Sequence, residues 1–164
     1  MKSLKQNDPV QYSRIYSLGA SRGSSAVTND EIAGPIESSD EWIRQRTGIV
    51  TRVRAPEGQS LMDMAVEASK EAIEKSGIDP SEIDAVILAT ISFPYATPSG
   101  ATMLAAEVGA GDAAAYDISA ACAGYCYGIA QADALIRSGN SKYVLVVGGE
   151  KLSDFISPTD RSIS

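Results

Sequence analysis

Three strand-length, largely apolar runs constrain this chain more than any other feature: Ala85–Ile91 (AVILATI), Ala113–Ile118 (AAAYDI) and Tyr143–Val147 (YVLVV). Continuous rather than alternating hydrophobicity marks strands buried on both faces of a sheet. Helical patterns separate them. Leu61, Met64, Ala65, Ala68 and Ala72 fall on one stripe at helical spacing, Ala101–Val108 is rich in small residues, and Cys122–Arg137 carries Ile129, Ala132, Leu135 and Ile136. Strands alternating with helices imply βαβ units, and so a parallel sheet between helix layers. Sheets of that kind hold ligands beyond the C-terminal ends of their strands.

Turn and cap residues set the boundaries. Met1–Gln11 is polar and reads as a flexible arm, and Tyr12–Gly19 predicts a first strand. Thr28 or Asn29 starts a short helix that Gly34-Pro35 ends. Ser38-Ser39 with Asp40 and Glu41 starts a second, which stops at Thr47-Gly48. Ile49–Val53 suits a short strand or bulged extension. Ser60 opens the clearest helix, and Gly77 is a fitting residue to close it. Ser92–Gly100 is a loop with two prolines. The helix after Cys122 carries few charges and many Ala and Gly, which predicts a helix buried in the centre of the molecule. The chain thus reads as an arm over 1–11 and one α/β domain over 12–164. No helix or cap closes Ser162-Ile163-Ser164, so further chain beyond it is expected.

Composition removes several function classes. Fourteen Lys and Arg against 21 Asp and Glu give a net charge of −7, which argues against nucleic-acid or anionic-membrane partners. Arg44, Arg46, Arg52 and Arg54 are a local exception, readable as a solvated face or as an anion site for phosphate. No apolar run approaches transmembrane length and the N-terminus lacks a signal-peptide core, so a cytoplasmic, reducing compartment is expected. The two cysteines, Cys122 and Cys126, show no metal-ligand or disulfide spacing. Histidine is absent. A cysteine nucleophile usually works with one, so this chain cannot by itself hold a Cys/His dyad.

Cys122 stands where a strand hands over to the first turn of a helix. Free backbone N–H groups and the positive end of the helix dipole favour a thiolate there. Its residue type equally suits a buried structural role, and the pattern alone leaves both readings open. Cys126, one turn on, reads as a small core residue. A CxxxC redox pair is disfavoured because a helix holds the two thiols on successive turns.

Several segments, in order, resemble those of the β-ketoacyl-acyl carrier protein synthase III family. Ser39-Asp40-Glu41-Trp42-Ile43 with Arg46-Thr47-Gly48-Ile49 is similar to its N-terminal signature, Ala121-Cys122-Ala123-Gly124 to its nucleophile segment, and Val146–Lys151 with Asp160-Arg161 to later segments. The resemblance implies a thiolase-like fold of two similar βαβαβαββ halves. Each has a mostly parallel mixed sheet between helix layers and a buried central helix. This chain would be the first half, and the family's catalytic His and Asn would lie in the second.

The implied reaction is decarboxylative condensation of an acyl-CoA starter with malonyl-acyl carrier protein through an acyl-Cys122 thioester, initiating type II fatty acid synthesis. No cofactor is implied beyond coenzyme A as part of the substrate, and a homodimer is expected. By the same resemblance Cys122 is catalytic and Ser38, Trp42, Arg46 and Arg161 contact CoA. Thr97 would line the acyl pocket across the dimer interface, where a threonine leaves room for starters longer than acetyl. Competing readings are a polyketide or secondary-metabolite starter enzyme, a thiolase-like acyltransferase, and a non-catalytic half-fold scaffold.

Overall fold

In the computed structural model, which describes residues 7–161, the chain divides into two units. The smaller comprises Arg22–Ser60 and the residues from Lys151 onward. Within it, β1 (Ser25–Thr28) leads into α1 (Asn29–Ala33), and α2 (Asp40–Thr47) leads into β2 (Thr51–Arg54). The two strands pair antiparallel, from Ser25 opposite Arg54 to Thr28 opposite Thr51. Thr28 fastens the start of α1, its backbone N–H and its hydroxyl each donating to the Glu31 carboxylate at 2.7 Å. Ser39 caps α2 by accepting from the Trp42 N–H. Gly48 ends α2 in the left-handed region (φ 72°), and its N–H returns to the Arg44 carbonyl. Ile32, Ala33, Ile36 and Ile43 form the core. Asn29, fully buried, ties the unit together: it donates to Asp40 and to the Ile49 carbonyl, both at 2.8 Å, and accepts from Arg52 at 2.9 Å. A buried amide with this many partners is satisfied rather than costly.

The larger unit holds residues up to Ser21 and Leu61–Glu150. Its elements run α3 (Leu61–Ser76), β3 (Ala85–Ala89), α4 (Gly100–Glu107), β4 (Ala114–Ile118), α5 (Gly124–Arg137) and β5 (Val144–Gly148). The strands form one sheet in the order β4-β3-β5, all parallel. Central β3 is buried along its whole length, as its unbroken apolar run requires. Alternation along the strands sends side chains to opposite faces. Val86, Leu88 and Val147 enter a core with Ala65 of α3 and Ala101, Leu104 and Ala105 of α4. Ile87 and Val146 face α5, where Gly128 is so close that an added Cβ would lie 2.8 Å from Val146. Each of these large side chains contributes on the order of 1.5–3 kcal/mol by leaving water.

Three features sharpen or differ from the sequence expectation. The first concerns α5, the helix expected at the centre of the whole two-half fold. Only Gly124, Gly128 and Ala132 are buried along it, while Tyr125, Cys126, Tyr127 and Gln131 are exposed. Its low charge reflects a small-residue face fitted to the sheet, and its outer face is open among the described residues. Second, among the described residues the sheet of this half is parallel, within the mostly parallel sheet expected, and β1 with β2 forms the antiparallel pair. Third, Tyr12–Gly19, predicted as a strand, has no strand assignment. Its polar atoms bond to helices instead: Ser13 donates to Asp133 at 2.7 Å and Ser17 to the Ala72 carbonyl at 2.6 Å. Before it, Asn7 and Val10 donate backbone bonds to Gly139 and Arg137. Residues 1–6 of the expected arm lie outside the described residues.

Candidate active site

The parallel register brings the three strand ends level, with Ala89 between Ile118 and Gly148. The chain leaves each strand into a different kind of connection. After β4, residues Ala121–Ala123 form a single 3-10 turn before α5, and Cys122 occupies its middle. Ala121 adopts φ 46°, a left-handed conformation that costs an alanine on the order of 1 kcal/mol. Ala123, before the first residue of α5, provides no side-chain cap, and no acid occupies the first turn. The positive end of the helix is therefore not neutralised from within the helix. Cys122 is exposed and unpaired with Cys126. It lines a cleft of about 840 Å³ that runs along the outer edge of β5, together with Ala89, Tyr125 and Gly148. Cys126, expected as a core residue, is exposed, because it falls on the open side of α5.

After β3 a long loop precedes α4 and carries Thr97, which is exposed and precedes Pro98 through a cis peptide. Two carboxylates hold this loop, and the sequence reading assigned a role to neither. Glu150, just beyond β5, accepts from the Ile91 N–H at 2.9 Å, from the Thr90 hydroxyl at 3.3 Å and from the Ser92 hydroxyl. Asp117 of β4 accepts from the N–H groups of Gly100 and Ala101 at 2.8 and 2.7 Å. One signal was visible for each. Asp117 is the sole charge in its apolar run, and Glu150 directly follows the glycine pair that ends another.

Trp42, Arg46 and Arg161 come together within the smaller unit. The Arg46 guanidinium carbon stands 5.6 Å from the Trp42 ring centroid and that of Arg161 stands 4.3 Å away. Both distances suit cation–π contact. Trp42 and Arg46 meet because they lie four apart on α2. The Ser38 hydroxyl is buried without a hydrogen-bond partner. The arginine cluster does not act as one site: Arg44 pairs with Asp40 at 2.6 Å and Arg52 is committed to Asn29. Hydrogen bonds from Arg44, and then from Asn29, hold the Asp40 carboxyl below its ordinary range. Among the described residues no group of three or more His, Cys, Asp or Glu could hold a metal ion. No helix among them is long and apolar enough to cross a membrane.

A parallel sheet between helices, with a cysteine in the turn after one strand, defines the class: this is an α/β protein of thiolase-like fold. The family model for 3-oxoacyl-[acyl-carrier-protein] synthase III matches residues 116–164. Over 164 residues the chain is 58% identical to the β-ketoacyl-[acyl-carrier-protein] synthase III of Kocuria rhizophila, covering all of this chain and 46% of that one. It is 52% identical over 155 residues to the enzyme of the same name from Tropheryma whipplei, covering 94% of this chain and 48% of that one. Among solved structures, the priming β-ketosynthase of the R1128 polyketide pathway superposes with a TM-score of 0.91 at 38% identity, over 99% of this chain and 48% of that one. The 3-oxoacyl-[acyl-carrier-protein] synthase III of Aquifex aeolicus gives 0.85 at 40%, over 90% of this chain and 48% of that one. Along its whole length the chain is similar to β-ketoacyl-[acyl-carrier-protein] synthase III proteins, and it spans about half the length of the curated relatives it matches.

Proposed function

We propose that this chain provides the acyl-accepting part of a starter-condensing enzyme that joins an acyl-CoA to malonyl-acyl carrier protein. The observation that carries the proposal is the placement of Cys122, exposed in the turn between β4 and the uncapped start of α5. The sulfur attacks the thioester carbonyl of acyl-CoA, and a new carbon–sulfur bond forms on Cys122. The bond to the CoA sulfur breaks, and CoA leaves as its thiol carrying the proton that Cys122 gave up. Backbone N–H groups of the turn, that of Cys122 among them, suit stabilisation of the oxyanion formed in between. Malonyl-acyl carrier protein then loses carbon dioxide, and the resulting carbanion attacks the acyl-Cys122 carbonyl. A carbon–carbon bond forms, the Cys122 thiolate leaves, and the product is a β-ketoacyl thioester on the carrier. Histidine and asparagine partners, as the family resemblance implies, would come from outside these residues.

In the same reading, Trp42, Arg46 and Arg161, with Ser38 nearby in sequence, take the adenine and phosphate end of CoA. The planar indole and guanidinium suit stacking on a purine, and arginine suits phosphate. At 4.3 Å from Trp42, Arg161 leaves no space for an intervening ring, so it moves aside when the base enters. Thr97 lines the acyl pocket of a homodimer, and its small side chain admits starters longer than acetyl. The setting is the cytoplasm, and no bound cofactor takes part. A second reading, priming of a polyketide, draws support from the likeness to the R1128 priming ketosynthase.

Mass spectrometry of the full-length protein incubated with acyl-CoA tests the proposal. One acyl group is expected on Cys122 and none in Cys122→Ser. Unmodified Cys122 in the wild-type protein would overturn it. Activity with malonyl-acyl carrier protein, compared between fatty-acid and polyketide carrier proteins, separates the two readings.

A further inference from the structure

The loop of residues 91–99 crosses the end of the sheet between two fastenings, and neither lies in the loop itself. At its start the Glu150 carboxylate takes the Ile91 N–H and the hydroxyls of Thr90 and Ser92. Both hydroxyl residues are buried, at 7% and 3% exposure, so they have one arrangement to adopt. The Ser92 N–H adds a bond to the Thr90 hydroxyl at 3.1 Å. At its end the Asp117 carboxylate takes the N–H groups of Gly100 and Ala101, one on each oxygen. Between them the loop exposes Tyr95 at 61% and Ile91 at 50%, with Tyr95 in edge contact with Phe93 at 5.7 Å.

These carboxylates come from β4 and from just beyond β5, the two strands that flank β3. Glu150 lies two residues past Gly148, which pairs with Ala89. Asp117 lies in β4, five residues before Cys122. Backbone bonds from Thr90 to Ile118 (3.0 Å) and from Gly149 to Ala89 (3.1 Å) lock the three strand ends beneath the loop. Two charged acceptors outside the loop, Asp117 on β4 and Glu150 just past β5, thus fasten its two ends.

We infer that Glu150 and Asp117 are positioning residues that hold loop 91–99 at the end of the sheet, and that through this loop they set acyl-chain selection. The inference rests on the proposed function for its second half alone. The first half is a statement about the loop, and it is tested separately.

Two measurements on the full-length protein decide it, with Glu150→Ala and Glu150→Gln as the variants. Gln keeps one carbonyl acceptor and an amide that the hydroxyls can receive, so it rescues in part. Amide hydrogen exchange of residues 91–99 should quicken about ten-fold in Glu150→Ala, with α5 unchanged and Gln intermediate. Unchanged loop exchange, or equal quickening across the whole sheet, would overturn the clamp. For selection, kcat/KM is compared for a long and a short acyl-CoA. Glu150→Ala should lower the ratio between them about five-fold or more, with Glu150→Gln between it and wild type. An equal loss for both substrates, or an unchanged ratio, would overturn the selective role. If wild-type Cys122 takes no acyl group, the proposed function fails, while the exchange result still stands or falls by itself.

Discussion

Two helices of this molecule start at the C-terminal edge of one parallel sheet, and they start in opposite ways. At α4 a hydroxyl cap and a carboxylate from the neighbouring strand take the first N–H groups. The Ser99 hydroxyl accepts from the Thr102 N–H, and Asp117 accepts from Gly100 and Ala101. At α5 the chain supplies no such cap: Ala123 offers no side-chain acceptor and the first turn holds no acid. Satisfying a helix start stabilises it by about 1 kcal/mol per cap, so leaving α5 bare costs stability. The difference teaches what each end is for. The start of α4 anchors a loop and its positive field is consumed by Asp117. The start of α5 keeps its field for whatever sits at Cys122.

The largest effect should follow from removing the capped end. In Asp117→Ala two N–H groups lose a charged acceptor, both on buried residues, Gly100 and Ala101. Chemical denaturation should show a loss of about 3 kcal/mol, with Asp117→Asn recovering part. A loss below about 1 kcal/mol would mean that solvent replaces the carboxylate freely, and the contrast between the two helices would weaken. Next in size is Gly128→Ala on α5. The added methyl meets Val146 at 2.8 Å and must push helix from sheet. Overpacking of about 2–3 kcal/mol outweighs the helix propensity gain of about 1 kcal/mol, for a net loss of about 1–2 kcal/mol in the same assay.

Adding the missing charge tests the comparison from the other side. Ala123→Asp places a carboxylate beside Cys122 at a position that is exposed and free of side-chain bonds. Alkylation of Cys122 by iodoacetamide should slow about ten-fold at neutral pH, because a like charge at this range opposes the thiolate by on the order of 1–2 kcal/mol. An unchanged rate would show that the field at the start of α5 does not reach the sulfur.

Much of this was legible in the sequence, for reasons that differ by element. The apolar run that became β3 could be read because the strand is buried along its whole length, while β4 and β5 are only partly buried and were read from the near-continuous hydrophobicity of their residues. Ser39, Thr28 and Gly48 stood where caps are required, and each serves its helix. β1 was not legible: Ser25–Thr28 is four residues, three of them exposed, and forms a strand because β2 lies beside it. Tyr12–Gly19 has strand composition, but strand identity needs a neighbour to receive its ladder bonds, and its bonds go to α3 and α5. Cys122 stood out at a strand-to-helix junction but received a catalytic reading only through family resemblance, and so did the Trp42 cluster, since nothing in spacing relates Arg161 to residues 42 and 46. Asp117 and Glu150 escaped notice because a carboxylate accepting backbone N–H groups has no motif. Its partners are chosen by the register between strands.

The smallest effect is also the most discriminating, since it compares the two helices by the same side chain. Ser99→Ala deletes one of the bonds at α4 and should cost about 1 kcal/mol by denaturation. The mirror change, Ala123→Ser, offers α5 a hydroxyl at the equivalent position. A capping residue needs an extended backbone so that its oxygen can turn back toward the helix. Ser99 has it (φ −65°, ψ 152°), whereas Ala123 is already helical (φ −83°, ψ −13°). The added hydroxyl should therefore change stability by no more than about 0.3 kcal/mol. The start of α5 would then be bare by backbone geometry and not by the accident of an alanine, because the 3-10 turn that presents Cys122 fixes those angles. A gain of about 1 kcal/mol on Ala123→Ser would refute that link, for it would show that a cap can be added without disturbing the turn.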